Sequence, residues 1–506
     1  MSALEQDALE VSRLVRSVKN MFAPINQIPQ EVFSLIPGYR GMEEALVALT
    51  HVCRSWREQL ISCSSLWSSL NCASVDRTRV YLERSKTSPL NVRLGGKGHA
   101  PFLHDAFLLM LPDGGRLKSL SIAAFSNDLV ELTKHFSHCR TPLLERLRIH
   151  SFSSDSPTIQ AAIFDGDLSS LRELRLSGVL INLPRKSLSH LTTFDFRNIR
   201  FRKTSVTQLL DFFEQATVLR TIILYRAFPD TSDAPQGRIV SLPHLKLLHI
   251  TAWPVHSILL NHLSIPPGAS LILEFDGNGK TPLSACLPST SSNLGNLSHI
   301  TSINLCSRSK ISLRLEGTDG GLYMYDHHWF DDATSLSAAD GRVLRSLDHF
   351  SISATRRLAV TQYGTSPPPE IEKSPICQTL LHTNALRTLT LTDCLNLPFI
   401  FALNPNRIPS KAVVCPELEE LVLYIKTKYR FCIDELLEMA KERDSRGARL
   451  STIMIACPQE FVPAREVDKL RDYVSSVEYR LDGVVPQWDY IPGSVDVTGY
   501  EADTDW

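Results

Sequence analysis

The chain lacks an excess of charge of either sign: 53 lysines and arginines face 54 aspartates and glutamates across 506 residues. Without a net field, nothing global steers a polyanion or an anionic bilayer towards it, so nucleic acid and membrane surfaces are poor default partners. It also lacks any run approaching the roughly 18 apolar residues of a membrane span. Its opening, MSALEQDALEVSRLVRSVKN, mixes acids and bases where a secretory leader needs a continuous apolar stretch. The eleven cysteines are scattered, with no C-x-x-C pair, which suits reduced thiols in the cytoplasm or nucleus. Missing too are H-E-x-x-H, G-x-S-x-G and a Rossmann fingerprint, which argues against common metalloproteases, hydrolases and dehydrogenases. No catalytic residue, metal or cofactor is expected.

What the chain does have is 43 % apolar residues against 21 % charged, enough to fold along most of its length. That length allows about three ordinary domains or one elongated repeat array, so the choice rests on internal pattern.

The first pattern is helical. Leu46, Leu49, Val52, Cys53, Trp56 and Leu60 recur at steps of three or four, which puts them on one stripe, with Arg54, Ser55, Arg57 and Glu58 off it or at its edge. The spacing predicts one amphipathic helix ending near residues 62–65, then a short turn or helix carrying Leu66, Trp67 and Leu70. Both tryptophans read as core, and the two arginines as the solvated edge of the helix. Upstream, INQIPQEVFSLIPGYR places Pro29 where a first helical turn tolerates it, Val32, Phe33 and Ile36 at helical spacing, and Pro37-Gly38 as a stop. A helix of two turns cannot hold itself together in water and needs a partner for its apolar face. Further upstream, Val11, Leu14, Val15, Val18, Met21 and Phe22 form another stripe, ended by Pro24. With barely two heptads it is expected to pack on the following module rather than to form a coiled coil.

Ile28-Pro29-x-x-Val32-Phe33-x-x-Ile36, then Leu49-x-x-Val52-Cys53-Arg54-x-Trp56-Arg57, then Leu66-Trp67 resembles an F-box, over about 45 residues. Ile28 stands where the family usually has leucine, and a loop intervenes around residues 38–44. The overall plan is similar to fungal F-box proteins, in which a leading helix is common. The resemblance implies a small helical module that docks on a Skp-type adaptor and so joins a cullin-based ubiquitin ligase. Ile28, Pro29, Val32, Phe33 and Ile36 would form the adaptor-binding edge, and Leu49, Val52, Cys53, Trp56, Leu66 and Trp67 the F-box core.

From residue 117 onward one motif returns: apolar, two residues, apolar, one residue, apolar. It reads LKSLSI from Leu117, LERLRI from Leu144, LRELRL from Leu171, LTTFDF from Leu191, LRTIIL from Leu219 and LKLLHI from Leu245. Later copies are ITSINL from Ile300, LDHFSI from Leu347, LRTLTL from Leu386, LEELVL from Leu418 and LSTIMI from Leu450. Chance alone supplies about eight matches in so long an apolar-rich chain, so spacing carries the weight. The first six copies start 27, 27, 20, 28 and 26 residues apart, near the ~20–29 of leucine-rich repeats. Five copies carry a further leucine three residues earlier: Leu168, Leu188, Leu242, Leu297 and Leu344. A period of two makes a short strand with one face inward, and stacking such strands buries a continuous aliphatic ladder. Leu209, Leu210, Phe212 and Phe213 lie in helical register within residues 204–217, which predicts a return helix. In the two longer gaps, after Leu245 and after Ile300, LILEFDG (271–277) and ISLRLEG (311–317) are expected to be degenerate copies, with an exposed insertion at residues 317–340.

The expectation is thus an α/β chain: a leading helix (1–24), an F-box-like helical module (25–72), an irregular leucine-rich-repeat-like α/β solenoid (73–496) and an acidic tail (497–506). DGNGKTP (276–282) has the wrong glycine spacing for a phosphate loop and reads as a turn. YDHHWFDD (325–332) reads as an exposed loop suited to partner binding rather than a metal site, because adjacent side chains diverge. SPPPEIEKSP (366–375) reads as a stiff exposed loop. Functionally the F-box resemblance implies a recruiting subunit that positions an unidentified target protein near a ubiquitin ligase; the alternative is an interaction scaffold that uses the same surfaces without ubiquitin transfer.

Overall fold

The leading stripe forms helix α1 (Ala3–Met21) in the computed structural model. That structure describes most of residues 3–481; residues 25–42, 158–167, 276–286, 327–346, 362–374 and 482–506, with several shorter stretches, lie outside the described residues. Contrary to the packing expected, Val11, Leu14, Val15, Val18 and Phe22 are each more than half exposed. Glu5 in the first turn and Lys19 in the last complement the helix dipole, so its ends are stabilised without a partner.

The predicted helix over residues 46–60 is two helices, α2 (Glu43–Leu49) and α3 (Arg54–Ser62). Cys53 makes the break. Its backbone is extended, and its Sγ accepts the Trp56 N–H at 3.5 Å as the N-cap of α3. Arg57 closes the other side, its Nε donating to the Thr50 carbonyl at 2.9 Å, so this arginine is a structural clamp and not only a solvated edge. The break turns Val52 outward, away from the core expected of it.

The chain divides into two units, residues 1–174 and 175–505. In the first, strands β1 (Ser69–Asn71), β2 (Leu90–Gly95), β3 (Leu117–Ala124) and β4 (Arg146–Ser151) pair in parallel in that order. Strand pairing therefore begins inside the range expected to be helical, well upstream of Leu117. Helix α4 (Val75–Ser85), capped by Ser74, joins β1 to β2, and α5 (Leu103–Met110) lies between β2 and β3. Leu70, Val92, Leu94, Leu120, Ile122, Leu147 and Ile149 all turn to the buried side.

In the second unit β5 (Thr193–Arg197), β6 (Thr221–Tyr225), β7 (Leu247–Thr251) and β8 (Ser270–Phe275) pair in parallel. LILEF is thus a strand in step with its neighbours. The next three strands, β9 (Ser302–Ser307), β10 (Ile311–Glu316) and β11 (Gly321–Asp326), form an antiparallel meander. Its last strand pairs with β8, and its first with β12 (Arg357–Thr361). ISLRLEG is therefore the middle of a hairpin ribbon and not a repeat. The expected insertion begins as a strand with Leu322 fully buried. Parallel pairing then resumes through β13 (Thr388–Thr392), β14 (Glu420–Tyr424), β15 (Thr452–Ala456) and β16 (Ser476–Arg480).

The strand at residues 357–361 corrects the copy placed at Leu347: within LDHFSI the described residues Leu347, Phe350 and Ile352 belong to no strand. The working copy is Thr355-x-x-Leu358-x-Val360, with a threonine at the first apolar position. Thr355 is fully buried because its hydroxyl donates to the Ile300 carbonyl at 3.4 Å. The extra leucines three residues upstream also have a cause. The carbonyls of Leu168, Leu188, Leu242, Ile352, Thr383 and Cys415 each accept the N–H of the residue that opens the next copy, at 3.0–3.1 Å. Each is the first residue of a turn that aims the chain into its strand, with its side chain buried beneath.

Helix α6 (Val206–Gln215) fulfils the expectation for residues 204–217: Ser205 and Gln208 form a capping box, and Leu209, Leu210, Phe212 and Phe213 are buried. Near the other end of the unit, Arg443 of α7 (Ile433–Ser445) is fully buried. Its guanidinium donates to the Val414 and Cys415 carbonyls at 2.7 and 2.9 Å, tying the helix to the turn that precedes β14. The turn at 276–282, most of the loop at 366–375 and the acidic tail lie outside the described residues.

Candidate functional site

Two places join chemistry to position. The first is the N-terminal module. Trp67 closes a short 3-10 helix (Ser64–Trp67) and is fully buried, as its reading as a core residue expects. Its indole N–H donates to the Leu60 carbonyl at 2.8 Å, Tyr81 meets it edge-on at 5.0 Å, and the Arg84 guanidinium sits 4.3 Å above its ring. A single side chain thus holds α3 to α4. Leu49, Cys53, Trp56 and Leu66 are half-buried, while Val52 is 58 % and Val47 39 % exposed. The edge expected to meet an adaptor, Ile28, Pro29, Val32, Phe33 and Ile36, lies outside the described residues.

The second place was missed by sequence reasoning. On β7 and β8 alternate residues turn away from the aliphatic ladder, and here that outer face carries a buried charged group. Glu274 accepts hydrogen bonds from His249 Nε2 and from the Tyr325 hydroxyl, both at 3.0 Å and both at Oε2. His249 and Glu274 are both almost fully buried. Tyr225 approaches the imidazole with ring centroids 6.3 Å apart, and the Arg226 guanidinium lies 5.5 Å from the Tyr225 ring. One strand further, Arg197 grips Asp195 through both carboxylate oxygens. Burial first, and the Glu274 charge second, push the Tyr325 phenol far above its ordinary value, so it stays a neutral donor.

The only signal in the sequence was polar residues at the outward positions of three strands, LLHIT, SLILEF and GLYMYD. The arrangement locks a buried carboxylate and imidazole beside two half-buried tyrosine rings, so the outer face of these strands is polar but firmly fixed. Among the described residues no group of three His, Cys, Asp or Glu side chains could hold a metal, and no helix is long and apolar enough to cross a membrane. No protein-family model matches the chain, and no curated protein matches it in sequence.

Proposed function

We propose that this chain recruits a target protein to an SCF-type ubiquitin ligase, its N-terminal module docking on a Skp-type adaptor that leads to a cullin. The exposure of Val47 and Val52, beside a module locked by buried Trp67, carries the reading. Apolar side chains held at the surface of a small, firmly packed module are what a docking partner covers, each worth about 1.5–3 kcal/mol when fully buried. The F-box resemblance assigns Ile28, Pro29, Val32, Phe33 and Ile36, outside the described residues, to the same docking edge. The strand array, a leucine-rich-repeat-like solenoid in this reading, presents its outer face to the target. The chain contributes no bond-making step. It raises the local concentration of target beside the ligase's catalytic partner. No disulfide joins the nine described cysteines, which suits work in the cytoplasm or nucleus.

Co-purification tests the proposal. The wild-type chain retains a Skp-type adaptor, and Val52→Asp together with Phe33→Asp loses it while circular dichroism stays unchanged. Retention of the adaptor by the double variant overturns the docking assignment. Adaptor binding without any protein accumulating on loss of the chain leaves the scaffold role instead.

A further inference from the structure

The outer face of the first unit is a basic trough with a floor of small residues. Register places Ser69, Asn91, Ser119 and Arg146 in one row across β1 to β4, and Asn71, Arg93, Ser121 and Arg148 in the next. A third row is Gly95, Ala123 and His150. Strand β3 therefore contributes only Ser119, Ser121 and Ala123 to this face, and arginines rise from both neighbouring strands. Adjacent strands lie about 4.8 Å apart, so Arg93 and Arg148 flank a channel roughly two strands wide. Gly95 lets β2 lie close against β3 at this end: its φ is +89°, and a Cβ there would meet the Ala123 carbonyl oxygen.

The charges have been left for something else. Arg93 and Arg146 are exposed, and neither has a carboxylate partner among the described residues. Arg146 reaches across Ser119 to the Asn91 side-chain oxygen at 3.1 Å, a neutral contact. Arg148 alone is paired, its Nε donating to Glu173 at 2.8 Å on the far side. Three cations against one anion make this face distinctly positive in a chain whose net charge is −1. Half-buried His150 and Phe152, edge to face at 4.8 Å, close the end of the trough with an aromatic wall.

We propose that this trough binds an extended acidic segment of a partner protein, with aspartate or glutamate at alternate positions. A strand-like peptide laid over Ser119 and Ser121 sends alternate side chains towards the same side, with a repeat of nearly 7 Å, and so brings successive carboxylates to the arginines. The small floor lets the peptide backbone approach, and the arginine forks supply charge-assisted hydrogen bonds. This names the class of target recognised in the function proposed above. It also stands apart from adaptor docking, because the two use different residues.

The test uses the full chain and fluorescence anisotropy with four probes: a twelve-residue peptide alternating Glu with Ser, the same peptide with Gln for Glu, the same with Lys for Glu, and a single-stranded oligonucleotide of the Glu peptide's charge. The expected result is binding of the Glu peptide alone, weakened by raising the salt. Arg93→Ala with Arg146→Ala should weaken it about tenfold, the scale of two charge-assisted contacts on a partly exposed surface. Both side chains are exposed, so folding should survive, and Arg93→Glu with Arg146→Glu should reject the Glu peptide and accept a Lys counterpart. Equal binding of the Gln peptide or the oligonucleotide, or an unchanged affinity in the double variant, overturns the proposal. Adaptor co-purification run in parallel separates failure of this trough from failure of the ligase reading.

Discussion

Trp67→Ala puts the account of the N-terminal module at most risk. The side chain is fully buried between α3 and α4, and truncating a buried Trp costs about 3–5 kcal/mol. The edge contact with Tyr81 adds about 0.5–1.5 kcal/mol, and the Leu60 carbonyl loses its donor at a cost of about 1–3 kcal/mol where water cannot replace it. These contributions share one side chain and do not add fully, so a loss of about 4–6 kcal/mol is expected. Trp67→Phe keeps the ring body and the Tyr81 contact but removes the N–H, which sets its cost at about 1–3 kcal/mol. Hydrogen exchange of peptides spanning residues 54–85 measures the local opening free energy directly. Protection lost in α3 and α4 together is the expected pattern, because Trp67 joins them. Equal costs for the Ala and Phe variants, or a loss under about 1.5 kcal/mol for Ala, would refute the packing argument. Under the docking proposal, folded Trp67→Phe should retain the adaptor as the wild type does, since buried Trp67 would support the proposed patch without forming it.

Arg443→Ala leaves the Val414 carbonyl without its guanidinium donor and the Cys415 carbonyl with the Leu418 N–H, and should destabilise the second unit by about 2–3 kcal/mol, read from urea unfolding; Arg443→Lys should recover less than half, lacking the fork that spans both oxygens. Tyr325→Phe removes the hydroxyl from Glu274 and should cost about 1.5–3 kcal/mol. Because the native phenol is held above its ordinary value, its contribution is present below the unfolded value of about 10 and is lost as the pH rises past it. The native ultraviolet titration near pH 10 should therefore be the same for wild type and variant. Burial lowers His150 from the usual 6.5, so the unfolded chain binds the extra proton first. Stability from this group is whole above pH 6.5 and falls as acid takes the pH towards the native value; His150→Phe, which keeps the ring against Phe152, should flatten that limb of the stability curve.

The strands were legible in most copies where a period of two follows a leading leucine, as in LRTLTL and LEELVL, because one buried face is all such a strand needs; LDHFSI has the same pattern and misplaced its strand. The copy at 355–360 hid behind a threonine, which apolar counting discards although its hydroxyl is satisfied by a carbonyl. Cys53 hid the break between α2 and α3 in the same way: cysteine is not among the residues that usually cap helices, and its sulfur does so here. The trough was invisible for a different reason. Arg93, Arg146 and Arg148 meet only once the register of three strands is known.

The same reasoning explains why the outer face of the second unit carries its chemistry next to the irregular meander. Inserting three strands into a parallel array would ordinarily leave an edge or break the core. Here Leu271, Leu322, Leu315, Ile303 and Leu358 remain in register across β8, β11, β10, β9 and β12, so the aliphatic row passes through the meander unbroken. Both outer strands of the meander find partners, and neither edge is left open. With the inner face unchanged, the inserted strands are free to vary outward, and they do: Arg314 lies 5.1 Å from the Tyr323 ring, and Tyr325 completes the Glu274 cluster from 51 residues away. Period-two patterning is the same for parallel and antiparallel strands, so no reading of the motif alone could have placed that tyrosine beside that carboxylate. The repeat builds the wall, and the departure from the repeat puts a distinctive polar surface on it.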